Sequence, residues 1–222
     1  MGPLAVAIMA KAPRAGEVKT RLCPPLSAAE AAELYRCFLL DKIEQVRSLC
    51  GARPAIAYTP EEGRAFFETA APDFLLVPQR GDDLGARLAG TFEALFAQGY
   101  VGALAIDSDT PTLPTGLLQE AVDLLAGPPV DVVLGPCEDG GYYLIGLRRL
   151  HRELFEGIAW STDRVFPETV RRADAMGLTV VSLPAWLDID TPEDLERLRA
   201  SLPRTDTDLP RHTRDFFREQ PR

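Results

Sequence analysis

"AIDSDTPTL" (residues 105–113) ends an apolar run on two aspartates and then turns through Thr-Pro. "LDIDTPEDL" (residues 187–195) spells nearly the same turn again. Helix-start chemistry explains the second half of the later copy: Thr191 is placed to cap a helix, Pro192 to open it, and Asp194 to complete a near-capping box. It does not explain the aspartates that precede Thr-Pro. Paired carboxylates at the end of an apolar run repel each other and resist desolvation. A divalent cation with oxygen ligands resolves that conflict, and Mg2+ typically takes one or two carboxylates plus substrate phosphates. The sequences flanking the two copies do not match. The expectation is therefore two unrelated segments that leave strands at one edge of a sheet and supply a single metal–diphosphate site.

Outward from these turns, strands and helices alternate. Strands are expected at 4–10, 53–59, 73–79, 100–107 and 130–136, the first being the continuous apolar run of a strand covered on both faces. A helix is expected from about Ser27, with Glu30 closing a capping box, to Cys50. Further helices are expected over "EEGRAFFETA", "DDLGARLAGTFEALFAQG" and "TGLLQEAVDLLAG". "GGYYLIGL" reads as an antiparallel strand, and "STDRVFPETVRRADAMG" as a helix kinked or restarted near Pro167. "LTVVSLP" is a last strand and "TPEDLERLRASL" a last helix. This rhythm predicts an α/β fold: a mostly parallel, Rossmann-like sheet with helices on both faces. No Gly/Ser-rich linker divides residues 1–202, so they read as one domain, and 203–222 as a polar tail that is either docked or disordered. In such sheets ligands gather outside the carboxyl ends of the strands.

Composition excludes several classes. The net charge of −9 over 222 residues disfavours nucleic-acid binding. No apolar run approaches the ~20 residues needed to cross a bilayer, and "MGPLAVAIMAKAPRAG" reads as a buried strand rather than a signal peptide. The four cysteines, Cys23, Cys37, Cys50 and Cys137, form no C-x-x-C pair, which fits a reducing cytoplasm. His151 and His212 have no Ser or Cys in a recognisable motif, so triad chemistry is not expected. A haloacid-dehalogenase phosphatase also uses Asp-x-Asp, but it needs Thr or Val at the fifth position, where this chain has Pro both times.

Against that acidic background, "KAPRAGEVKTRL" (11–22) gathers Lys11, Arg14, Lys19 and Arg21 around Gly16. It lacks the glycines of a Walker A loop and of a dinucleotide fingerprint. Four cations so close repel one another unless an anion joins them, and charge-assisted hydrogen bonds to phosphate suit that need. Other strand ends add candidates. Gln79, Gly81, Gly85 and Arg87 follow the third strand, Arg87 being placed either to pair with Asp83 or to reach a phosphate. Glu138 and Asp139 precede Gly140, Gly141 and Tyr142, where glycines let a sugar or acceptor approach the backbone. Trp160 suits either the core or a platform for a base or sugar.

Together "IMAKAPRAGEVKTRL", "VPQRGDDLGARL", "AIDSDTPTL", "GPCEDGGYYLIGL", "WSTDRVFPETV" and "LDIDTPEDL" resemble an uncharacterised family of nucleotide-diphospho-sugar transferases with a glycosyltransferase-A fold. Some of its members are labelled as radical-SAM- or selenodomain-associated. The phospholactate guanylyltransferases and molybdopterin-type nucleotidyltransferases are similar at a greater distance. The resemblance runs from about Leu4 to Leu202. It implies that Lys11, Arg14, Lys19 and Arg21 bind nucleotide phosphates, that Asp109 holds Mg2+ or Mn2+, and that Asp190 is the second ligand, with Asp188 a third or a supporting partner. The family usually carries Gly where Asp107 stands, so no ligand role is assigned to Asp107.

These readings give catalytic candidates Asp109, Asp139 and Asp190 and metal candidates Asp109, Asp188 and Asp190. Phosphate candidates are Lys11, Arg14, Gly16, Lys19, Arg21, Gln79 and Arg87, and substrate candidates Gly140, Gly141, Tyr142 and Trp160. The expected activity is glycosyl transfer from a nucleoside-diphosphate sugar to a small-molecule acceptor. The alternatives are nucleotidyl transfer of guanylyl or cytidylyl type from a nucleoside triphosphate, releasing pyrophosphate, and a non-catalytic nucleotide-binding module.

Overall fold

The computed structural model describes residues 2–127, 129–202 and 210–219. The first apolar run forms β1 (Leu4–Lys11), and its side chains alternate between two cores. Leu4, Val6 and Ile8 join one hydrophobic cluster, and Ala5 and Ala7 the other, as the two-residue period of a strand requires. Beside β1 lie β2 (Ala52–Thr59), β3 (Leu75–Pro78) and β4 (Gly102–Ile106). They are followed by β5 (Val132–Pro136), β6 (Tyr142–Leu147) and β7 (Val180–Ser182). The seven strands stand in the order β3-β2-β1-β4-β6-β5-β7. Only β6 runs antiparallel, pairing β4 on one side and β5 on the other.

Helices cover both faces. α1 (Ala28–Arg47) starts at the expected capping box, Ser27 accepting from the Glu30 amide while Glu30 accepts from Ser27. α2 (Arg64–Ala70), α3 (Leu84–Ala97) and α4 (Thr115–Ala126) follow. Phe38 and Leu34 of α1 and Leu118 of α4 fill one core, and Leu88 and Phe92 of α3 the other. α5 (Val165–Ala175) differs from expectation. It begins just before Pro167, so the proline sits in the first turn, where its missing N–H costs no helical hydrogen bond, and no kink results. α6 (Pro192–Ser201) opens on the Thr191/Asp194 box.

Within the tail, α7 (Arg211–Glu219) docks on α1. The buried Asp41 carboxylate accepts from the His212 and Thr213 amides and from the Thr213 hydroxyl, which fixes the start of α7. Residues 203–209 and 220–222 of the expected tail lie outside the described residues.

Candidate active site

β1, β4 and β5 end, and the antiparallel β6 begins, along one edge of the sheet. There a cavity of about 390 Å3 is lined by residues from every strand end singled out in the sequence, among them Lys11, Gln79, Arg87, Asp109, Asp139, Gly141, Tyr142, Trp160 and Asp188. A groove of about 610 Å3 shares Asp139 and Asp188 with it and adds Arg21 and Asp190.

The doubled Asp-x-Asp motif meets in space through a residue that the sequence placed elsewhere. Asp109 and Asp190 are brought together around the Lys19 ammonium, at 2.6 and 2.8 Å. Lys19 Nζ also donates to the Ile189 carbonyl at 2.7 Å. The Lys19 backbone is left-handed (φ 47°), uncommon for a residue with a side chain, and precedes a short 3-10 turn, Thr20–Leu22. Burial alone would lower the Lys19 pKa, but Asp109 and Asp190 outweigh it and hold the ammonium above its usual range. Burial pulls Asp190 up, yet the Lys19 charge and hydrogen bond, with Arg21 behind them, leave it below the usual carboxylate value.

Among the described residues Asp188 makes no ion pair, and Lys19 acts on it only weakly from a distance. Burial, then repulsion from Asp139 and Asp190, push its carboxyl up to about 6. Ligand atoms of Cys137, Asp139 and Asp188 all lie within 4.8 Å of one another. Asp139 is partly committed, since its Oδ1 accepts from the Gly141 amide at 2.8 Å. The donor chemistry fits a hard divalent cation: the Asp188 carboxylate borders one groove with that of Asp190, which Lys19 holds. Asp109 and Asp190 join such a set only when the Lys19 ammonium leaves the space between them.

Sequence reasoning missed the support beneath this edge. Tyr35, Lys42 and Gln45 are buried on α1 and reach the Asp107–Leu113 loop. The Tyr35 hydroxyl bonds Ser108 Oγ and accepts from the Lys11 amide, each at 3.0 Å, tying the β1 end to the β4 end. Lys42 donates to the Thr110 carbonyl and hydroxyl, and Gln45 to the Leu113 carbonyl. Asp107 lines the cavity and accepts from Thr110 Oγ1 at 2.7 Å. Burial pushes the Asp107 carboxyl up to about 7 against the pull of Lys42. A signal was available: polar residues at 35, 42 and 45 share one side of a helix that is otherwise apolar there.

The remaining candidates separate. Gln79 braces the edge, its amide nitrogen donating to the Ala57 and Ala10 carbonyls. Asp83 caps α3 through the Ala86 amide, while Arg87 Nε bonds the Gly81 carbonyl, so the i,i+4 pairing does not form. Trp160 lies edge-on to Tyr142, with ring centroids 6.4 Å apart. Its indole rests on Gly85, where a Cβ would stand 2.7 Å from Nε1. Arg14 and Gly16 are exposed and border neither cavity. Gly140 serves the turn: at φ +90° it lies so close to the Asp163 backbone that a Cβ would clash.

A twisted, mostly parallel sheet with one antiparallel strand, carrying carboxylates and cations at its carboxyl edge, defines a nucleotide-diphospho-sugar transferase-like fold. Residues 42–162 match the model of a family described as uncharacterized proteins conserved in bacteria (DUF2064), and the chain belongs to that family. A candidate nucleotide-diphospho-sugar transferase from Desulfovibrio desulfuricans G20 is 33% identical, with 99% of this chain and 95% of that one covered and a TM-score of 0.89. Two further structures share the fold. A cytidylyltransferase from Leptospira borgpetersenii serovar Hardjo-bovis (strain JB197) aligns over 98% of this chain and 93% of its own, at 15% identity and TM-score 0.63. A CMP:2-keto-3-deoxy-manno-octonic acid synthetase complexed with CTP aligns over 89% and 97%, at 14% identity and TM-score 0.57. No curated protein matches the chain. Among the described residues no helix is long and apolar enough to cross a membrane.

Proposed function

We propose that the protein is a metal-dependent transferase that moves a glycosyl group from a nucleoside-diphosphate sugar to a small-molecule acceptor. One observation carries this reading: a single edge sets Lys11, Lys19 and Arg21 against Asp109, Asp188 and Asp190. The carboxylates would repel a bare diphosphate, and the ammonium would repel a bare cation, but a cation–diphosphate pair satisfies both. Mg2+ or Mn2+ held by Asp109, Asp188 and Asp190 would supply positive charge to the leaving diphosphate.

The chain's own residues do the rest. Lys19 exchanges its carboxylate partners for phosphate oxygens, and Lys11 and Arg21 flank it. Asp139, with Oδ1 fixed by the Gly141 amide, keeps its other oxygen to take the acceptor's hydroxyl proton. The acceptor oxygen bonds the anomeric carbon as the bond from that carbon to the phosphate oxygen breaks, and the nucleoside diphosphate leaves with the electron pair.

The shared fold of the cytidylyltransferases favours a second reading, nucleotidyl transfer with release of pyrophosphate. Against it, the loop after β1 has Gly16 alone between Lys11 and Leu22, whereas sugar nucleotidyltransferases usually open with a glycine-rich loop. Thermal unfolding with Mn2+ and a panel of nucleoside di- and triphosphates tests the site. A nucleoside diphosphate with Mn2+ is expected to raise the midpoint, and Asp109→Ala and Asp190→Ala to abolish the metal-dependent part. Retention of that part in both variants would refute the shared-metal site, and no response to any nucleotide would remove the site itself.

A further inference from the structure

The turn from β3 into α3, "QRGDDLGARL" (79–88), takes no part in holding the cation–diphosphate pair. Its residues combine to present one guanidinium. Gly81, at φ +128°, packs so closely under the first turn of α3 that a Cβ would stand 2.4 Å from the Ala86 Cβ. Its carbonyl accepts from Arg87 Nε at 3.1 Å. Asp83, four residues before Arg87, spends its carboxylate on the Ala86 amide at the start of α3. Among the described residues Arg87 forms no ion pair, and its two terminal nitrogens bond no protein group.

The place of this guanidinium separates it from the other cations. Arg87 is half-buried and lines the cavity of about 390 Å3. It borders neither the groove that holds Arg21 nor the pocket of about 230 Å3 around Lys19 and Arg21. Lys11, the other cation lining the cavity, also lines that pocket, and its ammonium donates to the Glu17 carbonyl at 2.9 Å. The remaining charges of the lining are Asp107, Asp109, Asp139 and Asp188, which repel an anion. A guanidinium anchored through Nε keeps a planar pair of donors that matches a carboxylate or a phosphate.

We infer that Arg87 grips an oxyanion, carboxylate or phosphate, borne by the acceptor, so that the acceptor is an anionic hydroxyl compound with its charged end on Arg87 and its hydroxyl at Asp139. Calling this ligand the acceptor rests on the glycosyl-transfer reading, in which Lys11, Lys19 and Arg21 take the donor's diphosphate.

The test uses three probes of one skeleton, glycerol, glycerate and glycerol 3-phosphate, titrated into the full chain without metal. Affinity is read from the backbone amide resonances, and the place of binding from the Arg87 Nε–H resonance, assigned by its loss in Arg87→Gln. Glycerate or glycerol 3-phosphate is expected to shift that resonance and to bind at least about tenfold more tightly than glycerol. This wild-type comparison needs no variant. Arg87→Gln is expected to erase the preference for the anion while calorimetry shows a nucleoside diphosphate with Mn2+ bound as in the wild type. Binding of glycerol as tight as that of both anions overturns the assignment, and so does a preference that survives Arg87→Gln. Equal weakening of the anion and the nucleoside diphosphate in Arg87→Gln also overturns it, because Arg87 would then belong to the donor. Nucleotide binding without any preference for an anion removes the Arg87 assignment alone. An anion preference at Arg87 without nucleotide binding leaves the oxyanion site standing and refutes the donor reading.

Discussion

Replacing Lys19 by methionine keeps most of the length and volume of the side chain and removes its charge. The ammonium makes three close contacts, to Asp109, Asp190 and the Ile189 carbonyl. Removing one partner of a fully buried ion pair costs about 3–5 kcal/mol. Asp109 and Asp190 are 36% and 41% exposed, so water takes up part of the loss. An expected destabilisation of about 2–3 kcal/mol remains, and at about 2–4 °C per kcal/mol for a chain of this size the midpoint falls by about 4–12 °C. The same change opens the space between the two carboxylates. Mn2+ at a hundredfold excess over its Kd returns about 2.7 kcal/mol, close to the whole loss. Calorimetric unfolding of wild type and Lys19→Met, with and without Mn2+ and without nucleotide, measures both effects. The variant is expected to be less stable and to gain more from Mn2+ than the wild type does. A variant as stable as the wild type, or one that gains no more from Mn2+, would refute the reasoning that Lys19 holds the cation's place.

Tyr35→Phe removes the hydroxyl that joins the Lys11 amide to Ser108, and denaturant unfolding should show a loss of about 1–3 kcal/mol with weaker nucleotide binding. Gly85→Ala drives a Cβ to 2.5 Å from the Phe155 carbonyl and 2.7 Å from Trp160 Nε1; near-UV circular dichroism should report a displaced indole, and unfolding a loss of about 1–3 kcal/mol. Asp41→Ala takes away the three hydrogen bonds that hold the start of α7, so limited proteolysis should release the tail well before the remainder of the chain is cut.

Local rules carried much of the fold from sequence. The capping boxes at Ser27 and Thr191 depend on residues three apart, and both form as read. The strand rhythm placed Asp109, Asp139 and Asp188 at one sheet edge, because topology alone sends strand ends there. Pro167 was read as a break because the start of α5 at Val165 is set by tertiary packing rather than by a cap. The cationic neighbours of Lys19 point to a phosphate ligand, and nothing in its spacing points to its partner Asp190, 171 residues away. The undersupport from Tyr35, Lys42 and Gln45 likewise joins α1 to a loop about 70 residues further on. Long-range pairing of polar groups was the illegible part, and it is the part that arranges the site.

The central claim is the bond that breaks. Parallel incubations of the full chain with Mn2+, hydroxyl or phosphorylated acceptors, and either a panel of nucleoside-diphosphate sugars or a panel of nucleoside triphosphates, followed by chromatography of the nucleotide and pyrophosphate products, test it directly. The account predicts a nucleoside diphosphate, formed with Mn2+ and lost in Asp109→Ala. Pyrophosphate released from a nucleoside triphosphate would contradict it.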